Sequence, residues 1–321
     1  MFRVKRANTF EELWRIFEEY PNAYPVAGGT DIIPRVNQGI ERHDVYVSIE
    51  GIKDMHGISV ADSGDVKIGA LTKLVEITES DILADFAALN CACSKVASPQ
   101  IRNQATIGGN VLQENRCIYF NQSVSWRRIN PCFKLGGDRC YQYKGSPKCV
   151  ALFQSDVAPV MMSYGAEAVF VSKSGERKVP LASIYLDAGK KDKAKDEILS
   201  HLIIPKHKGK LVSAYARETI RGSFDFPLVG CAITIVLDNG KICEATIVMG
   251  SAGVMPRFVP ETQNMLVGKT LDEATHYIED VKQCASRVVF PFRDSRIDTQ
   301  NRKAFAQKLV DDAWKSLLHK Q

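Results

Sequence analysis

Phe10, Leu13, Trp14, Ile16 and Phe17 recur at helical spacing, and Thr9 with Glu12 three residues on makes a capping box, so the first periodic segment is a helix. A short apolar run from Tyr24 then breaks into a glycine turn that ends at Pro34. Strands are predicted over 45–49 and 66–70, followed by a helical stretch over 71–96. That stretch is interrupted near Ser80 and Asp81, a pair suited to capping a second helix. From Gln113 to Gln154 the periodicity disappears, and it resumes at Asp156 with strands over 166–171 and 198–204. Two apolar runs, 228–237 and 241–249, flank Asp238-Asn239-Gly240, a strong hairpin signal because Asn-Gly tolerates the positive φ of a tight turn. Helices over 271–289 and 300–318 complete the pattern. Strands and helices come in blocks rather than in strict βαβ alternation, which predicts an α+β fold.

Composition adds bounds to this picture. With 321 residues the chain exceeds one small core and calls for two or three subdomains. Hydrophobic residues are 45% and charged residues 25%, ordinary for a soluble globular protein, and no run approaches the about 20 apolar residues of a membrane span. The first residues lack the apolar centre of a signal peptide, so a cytoplasmic location is expected, with the nine cysteines reduced. A net charge of +5 is spread along the chain with no basic block, which argues against nucleic acid. Its basic residues are expected on the surface, with a patch suited to an acidic electron carrier.

Two glycine turns and four cysteines carry the candidate chemistry. Gly28-Gly29-Thr30-Asp31 and Thr106-Ile107-Gly108-Gly109-Asn110 have the character of anion nests, with the Thr30 and Thr106 hydroxyls and the Asn110 amide as further donors. Either turn alone is most simply a tight bend, while the pair makes a pyrophosphate cradle plausible. Neither is a GxGxxG fingerprint or a P-loop, which disfavours Rossmann and kinase-type sites. Cys117, Cys132, Cys140 and Cys149 follow in the aperiodic segment with fourteen, seven and eight residues between them. Zinc sites usually carry shorter knuckles, whereas iron–sulfur ligands can be spread along a wrapping loop; spacing alone leaves metal ligands and scattered free thiols both open. Polar and glycine-rich neighbours favour ligands, and a loop this long needs an organiser. Cys91, Cys93, Cys231, Cys243 and Cys284 fall on regular elements and are expected in the core. No triad, HExxH or nucleophile elbow is present, so any catalysis belongs to a cofactor.

Three motifs together resemble the FAD-binding subunit of the xanthine dehydrogenase family of molybdenum enzymes: Pro25-Val26-Ala27-Gly28-Gly29-Thr30-Asp31-Ile32, Arg102 to Asn110, and Ser155-Asp156-Val157-Ala158-Pro159. The run from Tyr215 to Pro227 fits the start of that family's C-terminal domain, and the similarity extends nearly end to end. Most members pass almost directly from the second glycine turn to the Ser-Asp motif. Here the cysteine segment intervenes, and Arg116-Cys117-Ile118-Tyr119-Phe120-Asn121-Gln122-Ser123 with Trp126-Arg127 resembles the 4-hydroxybenzoyl-CoA reductase branch. The resemblance implies an FAD-binding subdomain over 1–57, a second over 58–205 with an insertion at about 113–154, and a C-terminal domain over 206–321 built on an antiparallel sheet with helices. It implies that Pro25 to Ile32 and Thr106 to Asn110 hold FAD, that Asp156 hydrogen-bonds it, and that Arg217 stands where several relatives place a lysine near the isoalloxazine. Cys117, Cys132, Cys140 and Cys149 would bind a [4Fe-4S] cluster. The implied partners are a ferredoxin donor, a small [2Fe-2S] subunit and a large molybdopterin-binding subunit, in a dimer of heterotrimers that reductively dehydroxylates an aromatic acyl-CoA. A basic entry surface for ferredoxin is expected from Arg116, Arg127, Arg128, Lys134, Arg139, Lys144 and Lys148. The alternative is the flavin subunit of an NAD-linked hydroxylase whose cysteine loop is vestigial or binds zinc.

Overall fold

The computed structural model describes residues 3–127, 130–222, 224–290 and 299–319; Arg128 of the expected basic surface and Ser223 of the C-terminal motif lie outside them. The first unit is a small parallel sheet, β1 (Arg3–Arg6), β2 (Ala23–Val26) and β3 (Val45–Ser48), in the order β1-β3-β2. Helix α1 (Phe10–Glu19) crosses over between β1 and β2. Thr9 Oγ1 accepts from Glu12 N at 3.2 Å, and Glu12 reaches back to Asn8 N at 2.8 Å, so the cap forms with its reciprocal bond one residue earlier than expected. Leu13 and Ile16 are buried, while Phe10, Trp14 and Phe17 cover the edge of the same core. Helix α2 (Ile32–Asn37) begins directly after the first glycine turn.

The second unit is a five-stranded antiparallel sheet of β4 (Ile58–Val60), β5 (Val66–Gly69), β6 (Glu167–Ser172), β7 (Gly175–Pro180) and, after the short hairpin β8 (Tyr185–Asp187) and β9 (Lys190–Lys191), β10 (Ile198–Ile204). The strand order is β4-β5-β10-β6-β7. Between β5 and β6 lie α3 (Leu74–Thr78), α4 (Ala87–Lys95), α5 (Pro99–Arg102), α6 (Ile107–Leu112) and α7 (Val157–Ser163). The helical stretch over 71–96 is therefore interrupted around Ser80 and Asp81 as expected, but the second helix does not start there. Ser80 makes no side-chain cap and opens a 3-10 turn, and α4 starts only at Ala87.

The third unit is the antiparallel sheet β11 (Lys210–Glu218), β12 (Val229–Asp238), β13 (Lys241–Gly250) and β14 (Arg257–Phe258), covered by α8 (Glu261–Leu266), α9 (Leu271–Thr275), α10 (Ile278–Val288) and α11 (Thr299–Leu318). Asn239 (φ 48°) and Gly240 (φ 77°) turn the β12–β13 hairpin with both central residues left-handed, as Asn-Gly permits. The predicted helix over 271–289 divides at His276 and Tyr277. One hydrophobic core joins the first two units, with Tyr215, Ala232 and Val248 as its contact with the third; a second core lies between the third sheet and its helices. No described helix is long and apolar enough to cross a membrane.

Candidate functional site

A cavity of about 720 Å³ opens where the three units meet, within the range of small-molecule sites. Both glycine turns line it. Pro25, Val26, Ala27, Gly28, Gly29, Thr30, Asp31 and Ile32 form one wall, and Thr106, Gly108, Gly109 and Asn110 another. Ile107 instead points into the core and is fully buried.

The two turns differ in what they leave open. In the first, the N–H groups of Gly28, Gly29 and Thr30 donate to no described protein group, and Gly29 holds a left-handed φ of 70° that a side chain would strain. The second is not a nest but the first turn of α6. Ile107 N donates to Thr72 O, Gly108 N to Ala70 O, Gly109 N to the Thr106 hydroxyl and Asn110 N to Thr106 O. The expectation of two equivalent nests is therefore corrected, because helix capping and a bridge to the β5 end engage the second set of donors. What the second turn contributes is close approach and the Asn110 amide. Asn110 Oδ1 accepts from Ser155 Oγ at 2.6 Å, and its Nδ2 donates to no described residue.

Asp31 does not face the cavity as a free carboxylate. Arg35 pairs with it, Arg116 Nη2 reaches its Oδ1 at 2.8 Å, and Glu114 N reaches its Oδ2 at 3.1 Å. Arg35 in turn bonds Glu41, which meets His43 at 2.9 Å. On the opposite wall Asp156 Oδ1 accepts from Tyr215 at 2.7 Å and Oδ2 from Arg217 at 2.9 Å. Burial pushes the Asp156 carboxyl up from its ordinary value, against the opposing pull of Arg217 and Tyr215. Arg217 is not on the cavity lining; it stands behind Asp156 and orients it.

Of the three lysines on the wall, Lys191, Lys193 and Lys195, none carried a sequence signal beyond alternation in 191–195, and the first two are the most enclosed. Lys191 Nζ donates to Gln113 O at 3.0 Å, Lys193 Nζ to Ala194 O and Glu197 O, and neither pairs with a carboxylate of a described residue. Burial pulls both down, Lys191 to about 8. The segment after β11 supplies Arg221, Phe224, Asp225 and Phe226 at the mouth.

The cysteine segment leaves and rejoins the fold through a bridge between Arg116 and Leu152, with N···O distances of 2.8 and 3.0 Å. Cys117, Cys132, Cys140 and Cys149 all line one small cavity inside it, among aromatic rings that include Tyr119, Phe120 and Phe133. Ala151 N donates to Cys149 Sγ at 3.4 Å, and burial pushes the Cys117 thiol up to about 11. Among the described residues no three His, Cys, Asp or Glu side chains converge to hold a single ion. A tetrahedral zinc ion needs sulfurs about 3.8 Å apart; the cavity that the four thiols line is about 10 Å³, room for about one water, so a larger group would have to spread them. The thiol cavity adjoins the large one: Arg116 lines one and Cys117 the other, and Glu114 on the first bonds Lys134 on the second at 2.7 Å. Cys93, Cys231 and Cys284 are buried core residues as expected, and Cys91 and Cys243 are half-buried.

The expected basic surface is smaller than its sequence count. Arg116 and Lys134 turn inward to Asp31 and Glu114, and Arg127 donates to the carbonyls of Phe120 and Gln122. Arg139, Lys144 and Lys148 are exposed, with Arg139 beside Asp138 and Lys148 beside Asp187.

Residues 1–207 match the FAD binding domain in molybdopterin dehydrogenase, and residues 214–317 the CO dehydrogenase flavoprotein C-terminal domain. The aldehyde oxidoreductase FAD-binding subunit PaoB of Escherichia coli (strain K12) is 31% identical over 261 residues, 75% of this chain and 80% of that protein. The nicotinate dehydrogenase FAD-subunit of Eubacterium barkeri is 27% identical over 281 residues, 85% and 82% of the two chains. A chain of the crystal structure of cyanide-inactivated Cu,Mo-CO dehydrogenase superposes with a TM-score of 0.80, covering 100% of this chain and 98% of its own, at 23% identity, which speaks for the fold alone.

Proposed function

The chain belongs to the FAD-binding subunits of the molybdenum hydroxylase family, and from that premise we propose that it is an electron-transfer subunit carrying FAD in the large cavity and a [4Fe-4S] cluster on Cys117, Cys132, Cys140 and Cys149. Bound FAD supplies a centre that takes electrons singly or in pairs, and an iron–sulfur cluster one that takes them singly. The N–H groups of Gly28, Gly29 and Thr30 would hold the pyrophosphate, Asn110 Nδ2 and Asp156 would fix the cofactor's polar groups, and Lys191 and Lys193 would balance its charge. Arg217 and Tyr215 keep Asp156 in place. The observation that carries the cluster is that four thiols spread over the insertion all line one small cavity, which lies beside the first.

In this reading the partners are a ferredoxin as electron donor, a small [2Fe-2S] subunit and a large molybdopterin-binding subunit, in a dimer of heterotrimers. The complex resembles 4-hydroxybenzoyl-CoA reductase, with reductive dehydroxylation of an aromatic acyl-CoA on the large subunit. A second reading is the flavin subunit of an NAD-linked hydroxylase with a vestigial or zinc-binding cysteine loop, and a relative named as a dehydrogenase subunit, the nicotinate dehydrogenase FAD-subunit, supports an oxidative role. Iron and acid-labile sulfide in the purified protein decide first. About four of each per chain, lost in Cys132→Ser while FAD still binds at saturating concentration, supports the cluster. Unchanged iron in serine variants of all four cysteines overturns it.

A further inference from the structure

Arg116 sits where three parts of the molecule meet. Its Nη2 bonds Asp31 at the end of the first glycine turn, 2.8 Å away. Its guanidinium lies over the Phe226 ring, 4.2 Å from the centroid, on the segment at the cavity mouth. Its backbone pairs with Leu152 to close the neck of the insertion, and Cys117 follows it directly. Its Nε is buried with no hydrogen-bond partner. A planar fork that bonds on one edge and stacks on one face fixes position in a way a lysine does not. Parallel ties run through Glu114, whose N–H also bonds Asp31 and whose carboxylate holds Lys134 between Cys132 and Cys140.

We propose that Arg116 is a positioning residue through which the cysteine loop and the cofactor cavity share one binding equilibrium, so that filling either tightens the other. The proposal rests on the cofactor assignments above. When four thiols are drawn onto one group, Cys117 is fixed, and with it the backbone that carries Arg116. Asp31 and Phe226 are then held where the first glycine turn and the cavity mouth are preorganised for FAD. Linkage makes the effect reciprocal: bound FAD holds Asp31 and Phe226, hence Arg116, hence the first cysteine.

The test uses the full chain as wild type, Arg116→Gln, Arg116→Lys, Cys132→Ser and the double variant Arg116→Gln/Cys132→Ser, each checked for its circular dichroism and thermal melt. FAD dissociation constants come from flavin fluorescence on deflavinated protein. The rate of iron loss to a chelator is read with and without FAD. Cys132→Ser and Arg116→Gln are each expected to weaken FAD about tenfold, within the usual range of coupling, and the double variant no further than either single one. Wild type should lose iron several-fold faster without FAD, and Arg116→Gln at one rate in both states. Arg116→Lys, which keeps charge but loses the fork, should recover FAD affinity only in part. A wild type without iron and sulfide sinks the cluster reading and this coupling with it. An iron-loaded wild type whose FAD affinity matches Cys132→Ser, or losses that multiply in the double variant, overturns the coupling and leaves the cluster standing.

Discussion

Gly28, Gly108 and Gly109 are glycines for different reasons, and each reason predicts a different failure. A Cβ on Gly28 would lie 1.8 Å from Gln104 O, and one on Gly108 2.7 Å from Ala70 O, so both are places where two backbones touch. Gly109 meets the Thr106 hydroxyl at 3.1 Å and otherwise faces the cavity. Gly28→Ala should therefore destabilise the fold by about 3 kcal/mol or more. Gly109→Val should change stability by about 1 kcal/mol or less and weaken FAD at least about tenfold; denaturant melts and FAD titration check both, and an unaffected FAD titration of folded Gly109→Val would move the cofactor elsewhere. Lys191 makes a pH prediction. Its value falls from 10.5 unfolded to about 8 folded, chiefly through desolvation. Below pH 8 the lysine is charged in both states and the buried charge disfavours the apo fold by about 3 kcal/mol. That penalty fades as pH rises from 8 towards 10.5. An anionic cofactor beside Lys191 restores its proton, with Glu114 and Asp31 acting in the same sense and Lys134 and Arg35 against it. FAD binding should then take up a proton in this window, its dissociation constant rising by up to about tenfold per pH unit above 8. In Lys191→Met the slope should vanish; a wild-type affinity flat from pH 8 to 10 would remove Lys191 from the cofactor's surroundings.

At the scale of elements, the insertion behaves as an appendix with its own organisation. None of the described residues among 118–150 belongs to the main core; Val150 and Leu152 form a separate small cluster with Cys140. Because Arg116 and Leu152 already pair at the neck, replacing residues 118–150 by Gly-Gly should leave the melting temperature within about 4 °C, abolish iron binding and weaken FAD. A collapse of the fold would instead make the loop part of the core. The same separation explains what could be read without coordinates. Elements whose apolar residues face a core, such as α1, β10 and the β12–β13 hairpin, show in periodicity and turn chemistry because burial and positive φ constrain local sequence. The short β1, β8 and β9 and the one-turn α5 do not, since each contributes too few buried side chains to make a period. The second glycine turn was misleading for a related reason: Thr106-Ile107-Gly108-Gly109 has the composition of a nest, and it becomes a helix start through long-range bonds to Ala70 and Thr72. Lys191 and the inward turn of Arg116 were equally hidden, because each is defined by a partner far away in sequence.

At the scale of the whole molecule, the layout sets an order on the candidate redox sites. The thiol cavity lies in an insertion that carries exposed groups, among them Trp126 at 79% exposure, Lys144 and Lys148, whereas the large cavity lies between the three units, with Glu114 and Arg116 on its wall next to the insertion. An outside donor that meets the insertion therefore meets the thiols before the flavin cavity. A hydride donor needs direct access to flavin, while a one-electron carrier is served by an intervening one-electron centre. With Arg116, Arg127 and Lys134 engaged by neighbours, electrostatic steering falls to Arg139, Lys144 and Lys148, two of which stand beside carboxylates. Steering should accordingly be real but modest. In stopped-flow mixing of the assembled complex, reduced ferredoxin should reduce the iron–sulfur and flavin absorbance quickly, at a rate that falls as salt screens the surface. Lys144→Glu should slow that reaction several-fold at low ionic strength and leave it unchanged near 1 M salt, where the Debye length is about 3 Å. Fast reduction by NADH with no salt-dependent reaction with ferredoxin would reverse the order, making the flavin mouth at Phe224 and Phe226 the port and the NAD-linked hydroxylase the better reading.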